Sequence, residues 1–147
     1  MGGDSAARLD GAGARLNAFV DSNILIRHLT GDPPDQAKHA TAFLRGADNL
    51  IVVDLVVAEV VFVLESVYEL ERDHVAELVR AIFAFRAVVV SDLPLLLRAL
   101  EIYEQHRLHF AESYLAASAE VSGVGVVASF DRAIDRVGTV RRLEPAG

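Results

Sequence analysis

Four acidic residues occupy positions where a carboxylate can do chemistry. Glu59 is the only charge in the apolar run LVVAEVVFVL, residues 55–64, and a carboxylate among apolar side chains is costly unless it is paired or bound to a cation. Asp21 ends the apolar run NAFVD, Asp131 follows the run VVASF, and Glu112 lies one turn into a predicted helix. Carboxylate oxygens are the ligands that Mg²⁺ prefers.

If these four acids converge in the folded chain, they favour one class of reaction. Carboxylates a few ångströms apart repel each other, so they take up protons or a divalent cation. A Mg²⁺ or Mn²⁺ ion held there can activate water and stabilise the charge that develops on a phosphodiester. Each acid also has a plain structural interpretation. Asp21 and Asp131 can cap helices, Glu112 suits the positive end of a helix dipole, and Glu59 can face solvent or an ion pair.

The composition of the chain excludes several other kinds of site. With no cysteine among 147 residues, thiolate catalysis, thiolate–zinc sites and disulfides are excluded. The 14 basic residues are 13 arginines and one lysine, Lys38, and no P-loop motif is present. No apolar run reaches the length of a membrane span, and residues 1–16 lack the apolar core of a secretory signal.

Apolar periodicity and turn residues divide the chain into strands and helices. The run 55–64 is ambiguous, because its valines favour a strand while its length and Asp54 favour a helix. We expect Gly123 to end a helix, and Asp92 to cap a helix with Pro94 in its first turn. Strands are predicted at 17–21, 50–54, 87–91, 125–129 and 139–143, and helices from Ser22 or Asn23, over 36–47, 72–85 and 93–106, from Phe110, and as a turn at 131–135.

Strands that alternate with helices predict a single α/β domain, with a central parallel sheet and helices on both faces. We interpret residues 1–16 as a flexible leader, 17–143 as the domain and 144–147 as a tail. In such a sheet, functional residues gather at the carboxyl ends of the strands. The positions of Asp21 and Asp131 fit that rule.

Three segments, FVDSNILIRHL, LVVAEVVFVLE and HFAESYLAASAEVSGVGVVASFDRAI, occur in this order and resemble the PIN domain. The subfamily they resemble is the VapC-type toxin ribonucleases of bacterial toxin–antitoxin systems. The resemblance extends over residues 17–143. It implies about five parallel strands in the order 3-2-1-4-5, a helix at 55–64, and a metal-dependent endoribonuclease that uses Mg²⁺ or Mn²⁺.

The resemblance also assigns roles to the acids. Asp21 matches the first acid of the family and Glu59 the second, which would lie buried in an acid-lined pocket. Glu112 stands where the family usually has aspartate, and Asp131 matches the acid that follows a serine or threonine and a phenylalanine. All four would be catalytic metal ligands. The supporting residues would be Ser22, Asn23, His109 and Ser129.

One segment departs from the family pattern. Many such toxins read DFADA where this chain reads HFAES, so His109 replaces the outer acid and Glu112 the inner one. The extra methylene of glutamate alters the geometry available to Mg²⁺. An alternative is therefore a catalytically weak PIN domain that binds RNA or protein. A phosphatase built on Asp21 is disfavoured, because Ser–Asn follows it and Lys38 is the only lysine.

The expected partners follow from the same resemblance. RNA phosphates would meet Arg27, Arg132 and Arg136. A helix of a cognate antitoxin would enter a groove on the helices at 34–47 and 72–86, with a basic side chain in the acidic pocket, and the chain would form a homodimer. We expect no membrane contact and a cytoplasmic location. The apolar residues of those two helices include Phe43, Leu44, Leu78, Ile82, Phe83 and Phe85.

Overall fold

The computed structural model describes residues 17–146, and its elements follow the predicted alternation. The α/β class is confirmed. All five strands are shorter than predicted, because only two or three residues of each apolar run join a hydrogen-bonded ladder. The elements are β1 (Asn17–Phe19), α1 (Ser22–Thr30), α2 (Pro34–Gly46), β2 (Asn49–Ile51), α3 (Asp54–Ser66), α4 (Arg72–Phe83), β3 (Val88–Val89), α5 (Leu93–His106), α6 (Phe110–Ser122), β4 (Val126–Ala128), a 3₁₀ helix (Arg132–Arg136) and β5 (Arg141–Leu143).

Strand β2 lies between β1 and β3 in a parallel three-stranded sheet. Its central residue, Leu50, is paired with Ala18 of β1 and with Val88 of β3. The ladder continues beyond β1, where the backbone N–H of Val20 donates to the carbonyl of Ile51 at 3.0 Å. This pairing carries the chain in an extended form as far as the first candidate acid.

The predicted sheet was larger than the one observed. Strands β4 and β5 pair in parallel with each other, and among the described residues no backbone hydrogen bond joins β4 to β1. The parallel order 3-2-1 and the 4-5 pair are therefore present, but as sheets of three and two strands. Strands of two or three residues form few ladder hydrogen bonds each, so a small separation is enough to leave two of them unpaired.

The core is one cluster of buried residues drawn from all six helices, β2 and β4. In α3 the buried residues are Val57, Val60, Val61 and Leu64, which is the spacing of one helical face. The ambiguous run 55–64 is therefore a helix, as the family resemblance implies.

Two predicted helix ends are confirmed and one is corrected. Asp92 caps α5, where its side chain accepts from a backbone N–H three residues on at 3.1 Å. Gly123 ends α6 in the left-handed conformation, with φ of 81°, which glycine adopts without a steric penalty. At α1 the N-cap residue is Asp21, still extended at φ −75° and ψ 148°, while Ser22 and Asn23 already lie inside the helix.

The predicted leader, residues 1–16, lies outside the described residues, and the boundaries of the domain stay predictions. Residues 144–146 belong to no helix or strand. No helix in the described part of the chain has the length and apolar character needed to cross a bilayer.

A half-buried histidine, His28, links α1 to α2 and makes stability depend on pH. His28 Nδ1 lies 2.7 Å from Thr41 Oγ1, and its ring meets the ring of Phe85 edge-on. Burial, with a smaller effect of Arg45, lowers the pKa of His28. An unfolded histidine protonates near pH 6.5, so below that pH the unfolded chain binds more protons than the folded one. Stability is then lost as the pH falls.

We predict that His28→Gln flattens this dependence. Urea unfolding of the wild-type protein between pH 7.5 and 5.5 should show a free energy of unfolding that decreases more steeply than in His28→Gln. His74 is exposed on α4, so His74→Gln serves as the control and should follow the wild-type curve. Parallel curves for wild type and His28→Gln would contradict the role of His28.

Candidate active site

Asp21 follows β1 and holds a carboxylate that the fold does not use for capping. It is the N-cap residue of α1, yet it makes no side-chain capping hydrogen bond. Its oxygens accept instead from Ser22 Oγ and Asn23 Nδ2, each at 3.4 Å. Asp21 is exposed and Ser22 is buried. Ser22 and Asn23 are therefore placed to orient the carboxylate of Asp21, and they leave it open to solvent.

Asp131 follows β4 and does act as a cap. Its Oδ1 accepts from the backbone N–H of Ala133 at 2.9 Å, at the start of the 3₁₀ helix. Its own N–H donates to Ser129 Oγ at 2.9 Å. Asp131 is thus a helix cap through one of its two carboxylate oxygens, as the structural interpretation of this residue expects. Ser129 fixes the turn that presents the carboxylate.

Glu59 is exposed, so the predicted burial was wrong. Successive helix residues are about 100° apart. The face of α3 that carries Val57 and Leu64 points inward, and Glu59 points outward beside Leu55 and Phe62, which are 79% and 65% exposed. The apolar residues that flank Glu59 in the sequence therefore do not bury it, because two of them are exposed themselves.

The outward position still places Glu59 next to Asp21's supporting residues. Glu59 lines a cleft of about 260 Å³ together with Ser22, Asn23 and Arg27 of α1. Glu59 therefore shares a cleft with the two residues that donate to Asp21, although Asp21 itself does not line it.

Glu112 lies on the other flank of α3. It is half-buried in the first turn of α6, and its Oε2 is buried without a hydrogen-bond partner. It lines a cleft of about 330 Å³ with Phe62, Glu65 and His109. His109 is the exposed N-cap residue of α6 and makes no side-chain capping bond. The HFAES segment thus places both of its unusual residues in one cleft.

The four acids do not form one closed cluster. Within residues 17–146, no three histidine, aspartate or glutamate side chains lie close enough together to hold one metal ion. Glu59 lies in the cleft between α3 and α1, and Glu112 lies in the cleft between α3 and α6, with the exposed ridge of Leu55 and Phe62 on α3 between the two clefts. The ligand chemistry still fits a divalent cation, because all four side chains offer carboxylate oxygens. The unpartnered Oε2 of Glu112 fits it too.

Comparison with known proteins identifies the family of the chain. The family model described as "PIN domain" matches residues 18–140, which is most of the chain. The chain belongs to the PIN domain family. A VapC ribonuclease of Aquifex aeolicus (strain VF5) is 24% identical to it over 124 residues, covering 82% of this chain and 91% of that protein.

This PIN domain also contains a hydrogen-bonded tyrosine–aspartate pair that the sequence analysis missed. Tyr114 of α6 donates a hydrogen bond to Asp54 Oδ2 at the start of α3. That hydrogen bond, with burial, raises the pKa of Tyr114 to about 12. Asp54 Oδ1 is buried without a partner. The two residues are 60 positions apart, so no local pattern indicates that they form a hydrogen bond. The only signal in the sequence was their apolar context, with Asp54 after a strand and Tyr114 in a helix.

The arginines predicted to meet RNA differ in their availability in the PIN domain. Arg27 is half-buried and its Nη1 is 3.5 Å from the carbonyl of Asn23. Arg136 donates to the carbonyl of Arg107 at 3.0 Å. Arg132 is exposed and has no ion pair among the described residues. Of the three, Arg132 is the best placed to reach a phosphate.

The different capping roles predict different effects on stability. Asp131→Ala removes a cap and should lower the free energy of unfolding by about 1 kcal/mol. Asp92→Ala removes a comparable cap at α5 and should behave alike. Asp21→Ala removes no cap, so we expect no loss. Urea unfolding at pH 7 measures all three, and an Asp21→Ala loss as large as that of Asp92→Ala would contradict the assignment.

Proposed function

We propose that this PIN domain is a divalent-metal-dependent endoribonuclease that hydrolyses phosphodiester bonds in RNA, and that it is the toxin of a type II toxin–antitoxin pair. The similarity to a VapC ribonuclease over most of both chains supports this proposal. A cytoplasmic location is part of it, since the enzyme would need access to cellular RNA.

The observation that carries the proposal is the lack of neutralising partners around the four acids. The ion pairs of the described residues use other carboxylates, those of Glu101, Glu104, Glu120, Asp135 and Glu144. Asp21, Glu59, Glu112 and Asp131 take part in none of these pairs. With no ion pair to give up, these four acids, which the family resemblance assigns to the site, can serve as ligands for a cation.

The roles of the acids rest on the family resemblance, and those of the residues beside them on their contacts. Asp21, Glu59, Glu112 and Asp131 would hold Mg²⁺ or Mn²⁺, which would supply activated water and charge stabilisation to phosphodiester hydrolysis. Ser22 and Asn23 would keep Asp21 oriented. Ser129 would hold the turn before Asp131. Arg132 would bind an RNA phosphate and so position the strand.

The departures at His109 and Glu112 do not favour the alternative of a catalytically weak binding module. Glu112 keeps a carboxylate oxygen that is buried and unpartnered, which is the state expected of a ligand rather than of a surface residue. His109 is exposed beside it and would tune the site without being a required ligand.

We expected the antitoxin groove on the helices at 34–47 and 72–86, but the apolar face of α4 is buried in the core. We therefore propose that an antitoxin helix binds beside α1 and α2. These helices enclose a mainly apolar cleft of about 350 Å³ that includes Ile24, Phe43 and Arg27. Arg27 also lines the cleft of Glu59, so a bound helix could extend a basic side chain to that acid. The acidic chain, with a net charge of −7, would attract a cationic segment and release it as salt rises.

A homodimer is proposed as well, on a different face. Leu55 of α3 and Leu115 of α6 are 79% and 50% exposed. They line an apolar cleft of about 430 Å³ with Ala58 and Ala111. Exposed apolar patches of this kind mark interfaces more often than free surface.

We predict that Glu59→Gln abolishes metal-dependent cleavage without unfolding the protein. Cleavage of single-stranded RNA should decrease by more than the roughly 10- to 100-fold that loss of an outer-shell partner of a metal ligand costs. The rise in melting temperature on adding Mn²⁺ should also disappear. Glu77 is another exposed helical glutamate, so Glu77→Gln is the matched control and should retain both properties. Full cleavage by folded Glu59→Gln would remove Glu59 from the site.

The antitoxin proposal has its own test. The chain should be co-expressed with the product of any small gene directly beside its own, and then assayed by size-exclusion chromatography and RNA cleavage. We expect co-elution and inhibition, both weakened by Phe43→Ala in the α1–α2 cleft and unchanged by Leu115→Ala on the other face. Separate elution with undiminished cleavage would leave a nuclease without an antitoxin.

A further inference from the structure

Two phenylalanines stand exposed directly beside the candidate acids. Phe19 is 73% exposed and Phe130 is 71% exposed, more than any other phenylalanine of the described residues. Each comes one or two positions before an acid, Asp21 or Asp131. Phenylalanine is usually buried, so two rings left open at the same kind of position call for an explanation.

The backbone places Phe19 on the same side as Asp21. Phe19 ends β1, and both Val20 and Asp21 continue it in extended form, since the Val20 N–H joins the sheet ladder and Asp21 has φ −75° and ψ 148°. Side chains alternate along an extended strand. Val20 is buried at 4% exposure, so Phe19 and Asp21 both point to the open side, with their Cα atoms about 6–7 Å apart.

Phe130 is held outward by a rigid turn. The residue before it, Ser129, accepts from the Asp131 N–H, and Asp131 accepts from the Ala133 N–H, each at 2.9 Å. Ser129 N–H also donates to the carbonyl of Leu143, at 3.0 Å. The turn therefore presents three exposed side chains in sequence: the Phe130 ring, the Asp131 carboxylate and the Arg132 guanidinium.

We propose that Phe19 and Phe130 are base-stacking positions for single-stranded RNA, which hold unpaired bases next to Asp21 and Asp131. This inference rests on the proposed ribonuclease function and adds the form of RNA that the site takes. Aromatic rings bind bases by stacking with little preference for sequence, and Arg132 supplies the contact to a phosphate. Paired bases in a duplex do not expose their faces, so duplex RNA would bind poorly.

The absence of tryptophan from the chain allows a direct test. Phe19→Trp and Phe130→Trp each introduce a single fluorophore, and a stacked base quenches tryptophan fluorescence. Titration with a single-stranded oligouridylate, in EDTA and low salt to prevent cleavage, should quench both variants to saturation. A duplex RNA of the same length should quench them little at the same concentration.

Val124→Trp is the matched control. Val124 is 69% exposed and precedes β4, at the end opposite to Phe130. Its fluorescence should not respond to either RNA. Equal quenching at Val124→Trp, or no quenching at Phe19→Trp and Phe130→Trp, would overturn the stacking proposal.

Leucine and tyrosine variants separate stacking from simple apolar contact. Phe19→Leu keeps an apolar side chain without a π face, and should weaken binding of the oligouridylate about 5- to 100-fold, the range for loss of one stacked base. Phe19→Tyr should bind like wild type. In cleavage assays with metal, Phe19→Leu should raise KM more than it lowers kcat.

The outcomes distinguish this inference from the function on which it rests. If the wild-type protein cleaves RNA but the leucine variants at positions 19 and 130 show unchanged KM, stacking is wrong and the ribonuclease stands. If those variants instead lose self-association or antitoxin binding at constant RNA affinity, the rings are protein contacts and stacking is again wrong. If the wild type neither binds nor cleaves RNA, both proposals fail together.

Discussion

The site depends on the parallel pairing of β2 with β1 and β3. Leu50 and Val52 are fully buried, and the ladder that β2 shares with its two neighbours aligns the carboxyl ends of all three strands. Each of these strands is followed within three residues by an aspartate, at positions 21, 54 and 92. The pairing therefore brings three similar carboxylates to the same edge of the sheet, where the helices α1, α3 and α5 begin.

These three aspartates show how the same local sequence serves different purposes. Asp92 is used to cap α5, and Asp54 accepts from Tyr114, which lies 60 residues further on. Asp21 has only weak contacts, with its two following residues. The carboxylate that makes the fewest structural contacts is the one that can bind a ligand at least cost, because no stabilising interaction has to be given up. Asp21 is therefore the acid of this edge that the fold leaves free for function.

Much of the fold could be predicted from the sequence, because apolar periodicity and helix-end residues are local signals. Asp92 caps the start of α5 and Gly123 ends α6 as expected, whereas the strand order 3-2-1 was implied by the family resemblance. The lengths of the strands and the gap between β1 and β4 could not be predicted, since they depend on how the separate elements pack. The hydrogen bond between Tyr114 and Asp54 could not be predicted for the same reason. The four acids could be singled out from their positions in the sequence, their roles were implied by the family resemblance, and whether they act together stays a prediction.

The exposure of Glu59 was missed because α3 is apolar on more than its buried face. Leu55 and Phe62 are largely exposed on either side of Glu59 along the helix. An apolar ridge of this kind lowers its free energy when another surface covers it. Covering it, however, would also remove water from the Glu59 carboxylate, which is costly unless a cation comes with the covering surface. The ridge therefore disfavours a purely apolar binding partner, because such a surface would bury the unpaired charge of Glu59. An occupant that combines apolar side chains with a basic group, or that covers the ridge while a metal ion neutralises Glu59, satisfies both requirements.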